Sequence, residues 1–235
     1  MMLWRGAVEH PPFLTGRSMI MAGARQTRLV LYPIANQTRT PGTNLLNWVV
    51  GAKHGDGGQP PPRREDWSRP GRLDDFLPHV EAIFDLHVVD PVDVIRATTE
   101  CYEFPMCDRD PVPQWSFGRV TLLGDAAHPM HPSGSNGASQ AILDASCVAR
   151  ALAETKEVVP ALRAYEAARL PVTAKIVQDN RCGGPERVID VVEARAPDGF
   201  ADLADVASRT ELEAIVKGYA KLAGFDHEQV NREVS

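Results

Sequence analysis

The most informative alternation of apolar and polar positions runs from Gly118 to Glu154, GRVTLLGDAAHPMHPSGSNGASQAILDASCVARALAE. Val120, Leu122 and Leu123 form a short apolar run of the kind found in a strand covered on both faces, and Gly124-Asp125 ends it. The loop His131–Gly137 holds one proline, two glycines, two serines and an asparagine. Asn136, or Ser135 before it, is suited to cap the helix that follows. Along that helix Ala138, Ile142, Ala145, Ala149 and Leu152 recur at steps of four and three, which predicts one buried face. Most of these side chains are small, so a flat group or another backbone is expected close to the first turns.

Upstream, the pattern predicts antiparallel strands over 17–50. Ser18–Ala22 and Arg28–Pro33 are joined by a Gly23–Gln26 turn short enough for a hairpin, and Asn44–Val50 is the third strand. Residues 53–72 are polar and carry Pro60-Pro61-Pro62 with three glycines, which reads as a loop or linker. Leu73–Phe84 has Phe76, Leu77, Val80, Ile83 and Phe84 at helical spacing. Ala97–Phe104 reads as a fourth strand returning to the same sheet, and Pro105–Phe117 as a proline-containing loop. In that loop Asp108-Arg109-Asp110 forms either a local ion-pair knot or a cluster near an active site. Downstream, Pro160–Asn180 is a long helix that Pro171 should kink. Gly183-Gly184-Pro185 breaks the chain, and helices follow over Glu186–Ala196 and Thr210–Gly224. These divisions suggest a sheet region 1–117, a strand–loop–helix region 118–182 and a helical segment 183–235.

Composition narrows the classes. The 235 residues are 43% hydrophobic, enough for a core. A net charge of −6 with no basic cluster argues against nucleic acid as a partner. No apolar run approaches the ~18 residues of a membrane span, and no secretory h-region opens the chain. The four cysteines show no CxxC spacing and read as reduced thiols. A cytoplasmic protein is expected.

The chemistry follows from the organising stretch. A carboxylate at the end of a strand can accept hydrogen bonds from sugar-like hydroxyls. A glycine-rich loop brings backbone N–H groups close to a ligand, and the helix N-terminus behind it carries roughly half a positive charge. Such a site suits a polyhydroxylated, anion-bearing cofactor or a ring that accumulates negative charge. Taken alone, Asp125 could equally be a turn residue at the strand–helix junction.

Gly124-Asp125-Ala126-Ala127-His128, followed by Pro132-x-Gly134-x-Asn136-Gly137, resembles the second flavin-contacting motif of the p-hydroxybenzoate hydroxylase family, the class A FAD-dependent aromatic monooxygenases. Leu3-Trp4-Arg5-Gly6, Phe13–Ile20 and Asp108-Arg109-Asp110-Pro111 resemble its phenazine hydroxylase branch. The resemblance implies a mixed α+β and α/β fold: a mostly antiparallel substrate sheet, a strand–loop–helix of the flavin domain, and C-terminal helices. It implies FAD as cofactor, NADH or NADPH as co-substrate, and a small aromatic substrate that receives one oxygen atom from O₂.

By the same resemblance, Asp125 holds ribityl hydroxyls, and Gly134, Gly137, Ala138 and Ser139 lie in the loop and first helical turn facing the flavin pyrimidine ring. Gly124 and Asn136 belong to the same cofactor-binding set. Many family members have Asn where this chain has Ser139. Pro132 matches the proline beside the reactive edge of the ring, and no side chain is nominated as a nucleophile. Tyr32 and Trp48 either line the substrate chamber or pack the sheet against its covering helices. The family's G-x-G-x-x-G βαβ unit, which grips the AMP half and pyrophosphate, is not found here, and Met1–Trp4 matches an internal point of family members. The chain is therefore expected to be the C-terminal part of an FAD-dependent hydroxylase, lacking on the order of 150 residues; the alternative is an inactive or split flavoprotein fragment that needs an N-terminal dinucleotide-binding partner. A rival reading takes Asp125, His128 and His131, spaced D-x-x-H-x-x-H, as the metal ligands of a hydrolase. Pro129 and Pro132 prevent a regular helix from setting that geometry.

Overall fold

The computed structural model describes residues 1–24, 26–53 and 66–226; most of the predicted 53–72 linker lies outside them. The chain divides into two compact units, Met1–Met106 and Cys107–Ser235.

The first unit is built on one antiparallel sheet of five strands: β1 (Met2–His10), β2 (Ile20–Ala22), β3 (Thr27–Ala35), β4 (Asn44–Ala52) and β5 (Cys101–Pro105), in the order β2-β3-β4-β1-β5. The three strands expected within 17–50 and the returning strand share this sheet. The strand that joins them, β1, was not expected. It pairs with β4 along its whole length and with β5 on its other side. Its alternation is broken at Gly6, where a side chain would normally point at the core. A Cβ there would lie 2.7 Å from Trp48 Cζ2 and 2.8 Å from Thr98 Cγ2, so the missing side chain is the space Trp48 occupies.

One face of the sheet presents Met2, Trp4, Leu29, Leu31, Leu46, Trp48 and Val50 to Phe76, Leu77, Val80, Val94 and Ile95, all buried. The covering residues come from a 3-10 turn at Leu73–Asp75, α1 (Leu77–Ile83) and α2 (Pro91–Arg96). Phe76 stacks on Trp4 at 5.1 Å and tilts against Trp48 at 5.6 Å. The α2 helix was also unforeseen, although its start is legible. Asp90 accepts hydrogen bonds from the Val92 and Asp93 amides, and Pro91 occupies the first turn.

The second unit begins with a two-residue antiparallel ladder, β6 (Ser116–Phe117) with β7 (Val120–Thr121), separate from the five-stranded sheet. The expected strand is thus shorter than its apolar run and is not covered on both faces: Val120 is 66% exposed and Leu123 37%. The run lies on the outer side of a small hairpin turned at Gly118, with only Leu122 packed against the Trp115–Tyr165 cluster. Glu166 anchors the hairpin by accepting the Trp115 and Ser116 amides.

Helices α3 (Gly137–Glu154) and α4 (Val158–Arg181) follow, then a 3-10 turn at Gly184–Glu186, α5 (Arg187–Arg195) and α6 (Arg209–Ala223). The α4 helix continues through Pro171 as one 24-residue element, with Thr173 Oγ1 donating back to the Arg169 and Leu170 carbonyls. The α6 helix has an S-x-x-E start, Ser208 capping the Glu211 amide, and ends on left-handed Gly224. No helix among the described residues is long and apolar enough to cross a membrane.

Candidate flavin site

A 3-10 turn at Gly124–Ala126 leaves β7 and is closed by the Ala127 and His128 amides donating to the Gly124 carbonyl, at 2.8 and 2.9 Å. Its anchor lies inside α3. The Asp144 carboxylate, fully buried, accepts the Gly124 amide at 3.1 Å and pairs with His128 Nε2 at 2.6 Å. Its other oxygen takes Arg169 Nε at 2.7 Å. Arg169 also donates to Gln140 Oε1 at 2.6 Å, and Gln140 Nε2 reaches the Ala223 carbonyl at 2.8 Å. Burial opposes ionisation of Asp144, but the hydrogen bonds from His128, Arg169 and the Gly124 amide outweigh it and hold the carboxyl below its ordinary value.

This network corrects the expected helix face. The buried side of α3 carries Gln140 and Asp144, both 0% exposed, with Cys147, Val148 and Ala151 behind them. The predicted stripe of Ala138, Ile142, Ala145, Ala149 and Leu152 faces outward, Ile142 being 70% and Leu152 43% exposed. A hydrophobicity count ranks Gln and Asp as surface residues; an arginine and a histidine brought from elsewhere in the chain reverse that ranking.

The turn delivers Asp125 to the surface, where its carboxylate makes no hydrogen bond or ion pair among the described residues. It stands beside the start of α3: a Cβ on Gly137 would lie 3.9 Å from Asp125 Oδ1. The first hydrogen bond of α3 runs from the Gln140 amide to the Asn136 carbonyl. The amides of Gly137, Ala138 and Ser139 are left without partners among the described residues. Asn136 occupies the N-cap position, but its side chain does not cap. Its side-chain nitrogen is instead buried and unpaired, close to the Tyr219 hydroxyl. An exposed carboxylate and three free amides thus gather at one uncapped helix N-terminus, and that pairing of an acceptor with backbone donors fits a polyhydroxylated group bearing an electron-rich ring.

The loop before the helix is strained and tied down. Pro132 is exposed at its start, Gly134 has φ of +76° and Ser135 a φ of +48°. The Gly134 amide donates to both Glu186 oxygens at 2.8 and 3.0 Å. Asn180 and Tyr219, both buried, hold the carbonyls of His131 and Ser133. Burial is the main cause that pushes the Tyr219 hydroxyl up to about 12.

The D-x-x-H-x-x-H residues do not converge. His128 is turned inward onto Asp144, whereas His131 lies 3.8 Å from Asp108. No cluster of three metal-binding side chains occurs among the described residues. The Asp108–Asp110 cluster is an ion-pair knot, but its cation is Arg181, at 2.6 and 2.7 Å, and not the adjacent Arg109. In the sheet unit, Tyr32 opposes Asn47 and Leu31 opposes Trp48, so Tyr32 and Trp48 point to opposite faces. Trp48 is fully buried on the helix-covered face and donates to Thr98 Oγ1 at 2.8 Å. It packs the core, and only Tyr32 remains on the open face. Sequence reasoning missed Gln140, Asp144, Arg169, Asn180, Glu186 and Tyr219; the polar pair Gln140/Asp144, four apart on a helix, was the one local signal.

Comparison with known proteins agrees with this geometry. Residues 64–180 match a family described as FAD binding domain. The phenazine 1,6-dicarboxylic acid hydroxylase PhzS of Lysobacter antibioticus is 42% identical over 97% of this chain and 53% of its own length. A 3-hydroxybenzoate 6-hydroxylase of Aquipseudomonas alcaligenes is 46% identical over 37% of this chain and 22% of its own length. A salicylate hydroxylase substrate complex shares the fold, with TM-score 0.64 and 21% identity, over 94% of this chain and 56% of that one. The chain thus spans about half the length, or less, of the relatives it matches. With the uncapped helix, the exposed Asp125 and the antiparallel sheet in place, the chain belongs to the class A FAD-dependent aromatic monooxygenases, on the phenazine-hydroxylase-like branch.

Proposed function

We propose that this chain supplies the substrate sheet and the ring-facing part of the FAD site of an aromatic hydroxylase. The observation that carries the proposal is the uncapped N-terminus of α3 with Asp125 beside it. FAD, reduced by NADH or NADPH, supplies the activation of O₂ that places one oxygen atom on an electron-rich aromatic ring. The residues of this chain bind and orient. Asp125 accepts hydrogen bonds from ribityl hydroxyls. The Ala138 and Ser139 amides, backed by the helix dipole and flanked by Gly124, Gly134, Asn136 and Gly137, stabilise negative charge at the pyrimidine edge of the ring. A backbone donor tolerates Ser139 where many relatives have Asn. Pro132 borders the reactive edge, and Tyr32, on the open sheet face, lines the substrate chamber. Functionally, residues 1–117 serve the substrate, 118–182 the cofactor and 183–235 support the latter. The setting is cytoplasmic, where reduced nicotinamide is available.

The test is Asp125→Ala in a protein that joins this chain to a dinucleotide-binding half from a relative. The expected result is FAD affinity weakened by roughly 1.5–3 kcal/mol. Unchanged FAD content and affinity would remove Asp125 from the site.

A second reading concerns the chain by itself, and the exposed Ala138–Leu152 stripe favours it. In this reading the dinucleotide-binding half, in cis or in trans, covers that stripe and supplies neighbouring strands beside β7. The chain alone then binds FAD weakly, self-associates and does not oxidise NADH. A monomeric yellow protein that oxidises NADH would overturn it.

A further inference from the structure

The segment Pro132–Asn136 is the least self-sufficient backbone of the flavin site. It places Gly134 and then the non-glycine Ser135 in left-handed conformations, φ +76° and +48°. Such backbone persists only where its surroundings over-determine it. The surroundings here come from the far end of the chain. Glu186, in the turn after α4, accepts the Gly134 amide on both carboxylate oxygens. Asn180, near the end of α4, donates from Nδ2 to the His131 carbonyl at 3.0 Å. Tyr219, in the middle of α6, donates toward Asn180 Oδ1 at 2.9 Å and the Ser133 carbonyl at 3.3 Å. The fit is close: a Cβ on Gly134 would lie 2.3 Å from the Tyr219 hydroxyl oxygen.

We infer that Glu186, Asn180 and Tyr219 are positioning residues for the flavin loop: they hold the strained turn so that the Gly137, Ala138 and Ser139 amides face the cofactor. The inference rests on the flavin reading and divides the loop into two classes of donor. The Gly134 amide serves the brace and is not available to the ring, whereas the three helical amides are. It also gives the residues beyond 180 a role at the site.

The carboxylate is suited to this task. Glu186 accepts with both oxygens and makes no demand for an acceptor in return. A glutamine would keep one accepting oxygen and turn an N–H toward the same region, and an alanine would leave the Gly134 amide unpaired. Asn180 makes the brace cooperative, because its amide group joins the His131 carbonyl to the Tyr219 hydroxyl.

Hydrogen exchange on the whole chain, read by mass spectrometry, tests the brace without cofactor. Glu186→Ala should speed exchange in peptides covering 131–136 by about tenfold or more, with little change over 143–154 and in the sheet unit. Glu186→Gln should restore most of the protection. Unaltered exchange over 131–136 in Glu186→Ala overturns the brace, and so does a uniform loss of protection throughout the second unit, which would mean a general stabilising role.

Titration of FAD, followed by flavin fluorescence quenching in the protein joined to a dinucleotide-binding half, tests the link to the cofactor. Glu186→Ala should weaken binding about tenfold and Glu186→Gln much less. Asp125→Ala should weaken binding with exchange over 131–136 unaltered. Full affinity in Glu186→Ala, with Asp125→Ala impaired, overturns the positioning role while sparing the flavin site. Full affinity in Asp125→Ala as well overturns the flavin reading itself.

Discussion

The two units are stabilised in opposite ways. The sheet unit buries a continuous apolar layer, with Leu29, Leu31, Trp48, Val50, Phe76, Val80, Val94 and Ile95 at 0% exposure. Among the described residues its buried polar groups are few, and Glu103, the one buried carboxylate among them, is paired with Arg69 and accepts the Trp4 indole N–H. The flavin unit has a small apolar cluster around Trp115, Ala127 and Tyr165. Its centre is instead the His128–Asp144–Arg169–Gln140 network, and its loop is held by Asn180, Glu186 and Tyr219. Apolar burial is non-directional and tolerant of small shifts. A buried charge network fixes particular atoms, and losing one member leaves others unsatisfied. Under the proposed function, the unit that places donors around a cofactor uses the directional means, and the unit that offers a wall uses the other.

The contrast can be broken most severely at Asp144. Asp144→Ala leaves the His128 and Arg169 side chains, 2% and 12% exposed, without their anion. The expected cost is about 3–5 kcal/mol, confined to the flavin unit, so urea unfolding followed by hydrogen exchange should show 107–226 opening early while the sheet stays protected. An equal loss in both units would show that the network stabilises the whole chain.

Asp125→Ala should separate binding from folding. FAD affinity falls by roughly 1.5–3 kcal/mol, as proposed above, while the urea midpoint of the chain itself is unchanged, because the exposed carboxylate has no protein partner among the described residues. A lowered midpoint would assign Asp125 a structural part.

In the sheet, Gly6→Ala should cost about 1–3 kcal/mol by over-packing against Trp48 and Thr98, read as a shift in the urea midpoint of the sheet unit alone. No shift would mean that the Trp48 ring can move aside.

Acid should distinguish the units as well. The Asp144 pKa is lowered on folding, so its contribution to stability is complete above the ordinary value of 3.8 and is lost as pH falls through the folded-state value. The slope is at most one proton's worth, ~1.4 kcal/mol per pH unit. Near-UV circular dichroism of Asp144→Asn against the unaltered chain below pH 4 measures it; identical slopes would exclude Asp144 as the source.

The smallest effect on folding is expected on the outer face of α3. Ile142→Ser with Leu152→Ser should change stability by less than about 0.5 kcal/mol yet reduce self-association in analytical ultracentrifugation. Unchanged association would place the sticky surface elsewhere.

The local sequence determined what depends on neighbours in the chain. Hairpin strands β2 and β3, strand β4, the helices at α1, α3, α4 and α6, and the turn that exposes Asp125 follow from alternation, capping residues and glycine placement, all short-range effects. The candidate cofactor loop was legible for the same reason, since a strand end, a glycine loop and a helix start are contiguous; its reading as a flavin motif came from the family resemblance. What only the tertiary structure decided were features whose reason lies far along the chain. Strand β1 makes sense once Trp48 fills the space at Gly6. The buried side of α3 is polar because Arg169 and His128 come to meet Asp144. Trp48 belongs to the core because the pairing register puts it opposite Leu31, away from Tyr32. The strained turn at Gly134-Ser135 holds its shape because Glu186 and Tyr219, 52 and 85 residues beyond Gly134, complete it. Burial of a charge is favourable only with its partners present, and no periodicity within one helix records where those partners are.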